Sequence, residues 1–146
     1  MSASVGELVA EGRLENVPID LEAAANMLAE ALRHLDSAAA VAATDPNGGY
    51  QLLYDAARKG VAGHMLAHGL RARNRQGAHQ AVVLYAEEAL VNCRDVRYLD
   101  RIRRSRNRSE YDIKVFGAAE VAAGLEHARA IVAAAAAGIS AGPASG

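Results

Sequence analysis

The sequence predicts an all-α protein, a bundle of four long helices plus a short N-terminal leader helix, and three observations carry that prediction. Apolar residues recur at three- and four-residue spacings, the helical period, in several separate stretches. No segment shows the strict alternation of a half-buried strand. The chain is 51% hydrophobic but only 4% aromatic, so its core must be Ala, Leu and Val on closely packed helices.

Residues 4 to 15 make a short leader helix with Ser4 as its cap, ended by Pro18. Asp20 is a good N-cap for a helix reaching about Ala43, whose stripe Leu21, Ala25, Leu28, Leu32, Leu35 and Ala39 is spaced 4,3,4,3,4 and should be buried. Asp45 to Gly49 reads as a loop. A second helix from Tyr50 to His68 buries Tyr50, Leu53, Tyr54, Ala57, Val61, His64, Met65 and His68, with Gly69 where a left-handed residue ends it. Gly60 and Gly63 allow close helix contact. The loop 70–77 gathers Arg71, Arg73 and Arg75 at its surface, and a third helix, Ala78 to about Asn92, buries Ala81, Val82, Tyr85 and Ala89. An arginine-rich helix follows, capped by Asp95 or joined through Cys93, with a break expected between Ser109 and Ile113. The last helix, Gly117 to Ala137, carries the stripe Val121, Leu125, Ala128, Val132 and Ala135. The division is a leader segment 1–19, a helical domain 20–137 and a disordered tail 138–146.

At 146 residues this is one domain. The net charge of -1 conceals two poles. Residues 1–45 hold eight acids against two arginines, whereas residues 94–114 hold eight bases against four acids. Such a distribution favours a basic surface that meets an anion. The single Cys93 excludes an intrachain disulfide and fits a reducing compartment. With neither a signal-peptide pattern nor a membrane-spanning apolar run, a cytoplasmic protein is expected.

The basic pole is RDVRYLDRIRRSRNRSEYD, residues 94–112. Wound as a helix, Arg94, Arg97, Arg101, Arg104 and Arg108 form one ridge able to track a phosphate backbone, while Tyr98, Leu99 and Ile102 form an apolar face. Arg106 falls on that apolar face, where a guanidinium must find a carboxylate, a carbonyl, a phosphate or a wet cleft. The plainer reading pairs Arg106 with Asp112, Glu110 or Asp55, and the ridge with nearby carboxylates. Few aromatic residues interleave the arginines, so a base-stacking platform is not expected. His64 and His68 stand four apart, a metal-binding spacing, but without a third ligand they read as packing histidines. His79 is the remaining acid–base candidate. No metal and no cofactor is implied.

YQLLYDAARKGVAGHMLAHGL (50–70), GAHQAV (77–82) and RRSRNRSEYD (103–112), with the leader EGRLENVP (11–18), together resemble the HEPN superfamily of small helical nucleotide- and RNA-binding domains, in particular a little-characterised bacterial branch. In HEPN ribonucleases an Arg and a polar residue are followed a few positions later by a His. Arg106 and Asn107 match the first two, and Tyr111 stands at the histidine position. A tyrosine is a poor base at neutral pH, so this departure favours binding over cleavage. The resemblance implies a homodimer with its motif copies facing across a cleft, and RNA or a nucleotide as ligand. It further implies a metal-independent ribonuclease toxin, or a cleavage-deficient relative, in a toxin–antitoxin or phage-defence system with a cognate antitoxin as partner. Arg106, Asn107 and Tyr111 would be its site. The alternative is a non-enzymatic dimerisation or regulatory module that binds a partner protein.

Overall fold

The computed structural model describes residues 4–111 and 115–140, the side chains of 109–111 excepted. In chain order the elements are α1 (Val5–Ala10), β1 (Leu14–Asn16), α2 (Leu21–Val41), α3 (Pro46–Ala67), β2 (Leu70–Ala72), α4 (Ala78–Ala89), a 3₁₀ segment (Arg94–Tyr98), α5 (Leu99–Tyr111) and α6 (Ala118–Ser140). The mostly helical fold agrees with the all-α expectation, but among the described residues five α-helices, not four, follow the leader.

The caps explain most boundaries. Ser4 accepts from the Glu7 amide at 3.1 Å and Asp20 from Ala23 at 2.9 Å, as their residue types predict. Asp45 does the same for Gly48 at 3.0 Å, and Pro46 occupies the first helical turn, where its missing N–H costs nothing. The stretch expected as a loop therefore opens α3, four residues earlier than its apolar stripe suggested. Gly69 takes φ 75° just beyond α3, in the left-handed region expected of it.

Helix α3 is the centre of the molecule: α2 and α6 pack against it and against each other, and α4 and α5 cover its remaining flank. Its stripe is buried as expected, with His68 half-buried at its end, and so is that of α6. The stripe of α2 is corrected. Leu21 and Leu32 are 52% and 50% exposed and Ala25 and Ala39 lie outside, while Ala24, Ala31, Leu35 and Ala38 face inward. Close approach to α3 favours small residues at the Ala24 end of the seam, where a Cβ on Gly63 would sit 3.0 Å from the Ala24 carbonyl oxygen, while Leu35 is buried as expected.

Four further corrections concern connections and ends. The leader helix is only Val5–Ala10, and Leu14–Asn16 then pairs antiparallel with Leu70–Ala72, Leu14 opposite Ala72. Two strands thus exist where none was expected, and they tie the leader to the bundle with Leu8 and Leu14 fully buried. Helix α4 stops at Ala89, and Ala89 itself is half-buried. The arginine stretch is a 3₁₀ segment that becomes an α-helix at Leu99, its N-cap Cys93 and not Asp95. Helix α6 continues to Ser140 through the start of the tail expected from Gly138, and 141–146 lie outside the described residues. The expected break lies partly outside the described residues: α5 is helical to Tyr111, and 112–114 are not described.

Candidate nucleic-acid interface

The change of helix type at Leu99 decides where the arginines go, because a 3₁₀ segment turns 120° per residue and an α-helix 100°. The five-residue ridge is consequently divided. Arg101, Arg104 and Arg108 line a cleft of about 550 Å³ between α5 and α6, together with Ser105, Tyr98 and His127. Arg94 and Arg97 line a neighbouring depression with Glu87.

Aromatic stacks build the cleft wall. Tyr98 and His127 lie ring on ring at 3.9 Å, and His127 Nδ1 is 2.9 Å from the Asp95 carboxylate, which fixes the imidazole. Arg97 covers the Tyr98 ring at 4.9 Å and donates to its hydroxyl at 3.0 Å. Tyr50 stacks on Phe116 at 3.9 Å, and burial raises its hydroxyl pKa, with a hydrogen bond from Ser105 opposing. Asp100 is shared: Arg103 donates to it at 2.7 and 2.9 Å, and Arg104 at 3.1 Å. The Arg104 pair, with its guanidinium exposed, contributes little to stability, roughly 0–1 kcal/mol, and leaves Arg104 available to an anion.

The opposite face of α5 meets α3 and α4. Leu99 and Ile102 are buried there, as expected. Arg106, half-buried, donates through Nε to Gln51 Oε1 at 2.9 Å and through Nη1 to Asn107 Oδ1 at 3.1 Å, and its guanidinium lies 5.3 Å from the Tyr54 ring centre. The apolar-face position of Arg106 is thus resolved by an amide, a neighbour and an aromatic face. Asp112 and the side chains of Glu110 and Tyr111 lie outside what is described.

Tyr54, 1% exposed, bonds His79 Nδ1 at 3.1 Å through its hydroxyl. Burial raises the Tyr54 pKa, and the Arg58, Arg106 and Arg103 charges partly offset it. Burial likewise lowers that of His79, and the same arginines add to the effect while Asp55 opposes it. His79 therefore stays neutral at pH 7, and the hydroxyl can donate to Nδ1 or accept from it, so either tautomer is accommodated. The structure brings His79 into the neighbourhood of Arg106 across Tyr54, a link that the sequence positions did not disclose. Gln51 and His127 were missed altogether. Gln51 sits fifty-five residues before its partner, and no local pattern marks it.

The other candidates resolve as packing. His64 Nδ1 bonds the Tyr85 hydroxyl at 2.8 Å, its ring stacks on His68 at 4.2 Å, and His68 Nδ1 bonds the His64 carbonyl at 2.8 Å. Burial, with His68 adding, pushes the His64 pKa down to about 4. Cys93 Sγ donates to the Ala130 carbonyl at 3.7 Å. Among the described residues no group of three His, Cys, Asp or Glu could hold a metal ion, and no helix is long and apolar enough to cross a membrane. In comparisons with known proteins, no family model, curated protein or solved structure matches the chain.

Proposed function

We propose that this chain is a HEPN-like RNA-binding domain that grips the sugar–phosphate backbone of single-stranded RNA in the α5–α6 cleft. The supporting observation is the convergence of Arg101, Arg104 and Arg108, with Ser105, on one cleft. Guanidinium forks and a hydroxyl suit phosphate oxygens. Tyr98 has one face on His127 and a guanidinium over the ring as well, so it is poorly placed to stack a base. Recognition in this reading is electrostatic and tolerant of sequence. Arg106 and Asn107 belong to the other face of α5, where they position the helix that presents the cleft arginines.

Binding comes before cleavage in this proposal, because the motif histidine position holds Tyr111. Fluorescence anisotropy with a labelled single-stranded RNA at 50 mM salt should show binding by the wild type that Arg101→Ala/Arg104→Ala weakens at least tenfold. Absence of binding at that salt refutes the proposal. Incubation with mixed RNA in chelator, comparing wild type with Arg106→Ala and Tyr111→Phe, tests cleavage; cutting that persists unchanged in both variants excludes the motif as its source.

A second reading, an interaction module that pairs with itself or with a partner protein, is favoured by one feature: Ile19, Leu21 and Leu32 are about half exposed on and beside α2. Sedimentation of wild type and Leu32→Glu decides it, since a dimer built on this face should dissociate in the variant.

A further inference from the structure

Apart from the cleft, with which it shares no lining residue, a groove of about 310 Å³ opens between α3, β2 and α4. That volume is at the lower end of small-ligand sites, about 300 Å³. Its floor is apolar and soft, made of Met27, Met65, Leu70 and Val82. Its rim is basic, carrying Arg58, Arg71 and Arg73 beside the neutral His79.

We propose that this groove binds a small phosphomonoester with a flat apolar body, the phosphate at the arginine rim and the ring over the methionine floor. Charge is the first argument. Glu15 engages Arg71 and lies 4.0 Å from Arg73, and Asp55 lies 3.8 Å from Arg58, so three guanidiniums face two carboxylates. One positive charge is left over before the helix end is counted. Helix α4 begins at the rim with Gly77 as its N-cap, which supplies no side-chain bond to the first-turn amides, and Ala78 and His79 of that turn line the groove. The positive end of a helix is thus presented without a built-in anion.

Arg58 is the second argument. Its Nε is buried and meets no hydrogen-bond acceptor among the described residues. Buried donors are rarely left so, and an acceptor entering the groove draws the guanidinium round to satisfy it. Several guanidinium forks favour a phosphate, with three acceptor oxygens, over a carboxylate. Methionine sulfur packs well against ring edges and adapts to different rings. Glu15 engages two of the arginines, and the ligand phosphate replaces it there.

The groove is separate from the α5–α6 cleft, and the proposal stands or falls independently of RNA binding there. Isothermal titration should be run on the full chain with AMP, adenosine, inorganic phosphate, laurate and a 5′-phosphorylated oligonucleotide. AMP should bind at least tenfold more tightly than adenosine, phosphate or laurate. The phosphorylated oligonucleotide distinguishes the source: a strand end if it binds more tightly than AMP, a free mononucleotide if it does not. Arg58→Met should weaken AMP binding at least tenfold, Ala62→Phe should block it by filling the groove, and Arg101→Ala should leave it unchanged. Glu15→Gln should tighten it at least threefold by removing the competing carboxylate, an effect that a purely structural Glu15 would not produce. Circular dichroism melts confirm that each variant is folded. No AMP binding at millimolar concentration, equal affinity for laurate or phosphate, or unchanged affinity in Arg58→Met or Glu15→Gln overturns the proposal.

Discussion

Helices α3 and α4 are joined by two histidine–tyrosine bonds of opposite sense. At one end α3 supplies the imidazole, His64, and α4 the phenol, Tyr85, at 2.8 Å; at the other α3 supplies Tyr54 and α4 supplies His79, at 3.1 Å. Their surroundings differ. His64 is 6% exposed and stacked on a second imidazole, so both partners are held neutral. His79 is half-buried and has Arg58, Arg103 and Arg106 among its neighbouring charges. The same bond seals a core at one end and borders a charged edge at the other. The lesson is that a perturbed histidine marks a site only where charges converge with it.

The largest effect that can break this comparison is acid destabilisation through His64. Its pKa falls from 6.5 in the unfolded chain to about 4 in the folded one. Its contribution is therefore complete above pH 6.5 and is lost as pH falls toward 4, amounting to about 3 kcal/mol. Urea unfolding of wild type and His64→Gln at pH 7 and pH 4.5 should show the wild type losing more stability than the variant. Equal losses would remove His64 from the core account.

Next in size are the two phenols. Tyr85→Phe strands the His64 nitrogen in the interior and should cost ~1–3 kcal/mol, because a buried polar group keeps its desolvation penalty. Tyr54→Phe should cost ~0.5–1.5 kcal/mol, since the half-buried His79 can turn toward water. Thermal or urea denaturation ranks them, and the reverse order would contradict the contrast between sealed and open ends. The smallest effect is Asp100→Asn, at most ~1 kcal/mol, as the pairs with Arg103 and Arg104 are near the surface.

Much of this was legible in the sequence because it is local. The caps at Ser4 and Asp20, the left-handed Gly69 and the stripes of α3 and α6 depend on residues within one or two turns. The face of α2 was not legible. Its leucine row and its alanine row lie side by side on one helix, and the inward face mixes them, Ala24, Ala31 and Ala38 with Leu35, because the close approach of Gly63 to Ala24 is set by the partner helix. The β ribbon is three residues a side, too short for alternation to show. In the arginine stretch the spacing assumed α-helical rotation throughout, and the 3₁₀ segment separated Arg94 and Arg97 from the rest of the ridge. The unusual position of Arg106 was visible, but its partners Gln51 and Tyr54 come from a helix more than fifty residues earlier.

The central claim is that α5 divides its arginines by face, those toward α6 binding RNA phosphate and Arg106 holding the helix to α3. RNA affinity over a range of salt, measured with unfolding free energy for Arg101→Ala/Arg108→Ala and for Arg106→Met, tests it most directly. The double variant should keep its stability and lose roughly 1.4 from the slope of log affinity against log salt, about 0.7 for each phosphate contact on a single strand. Arg106→Met should lose stability and keep the wild-type slope. An unchanged slope in the double variant, or a stable Arg106→Met that no longer binds RNA, would contradict the account.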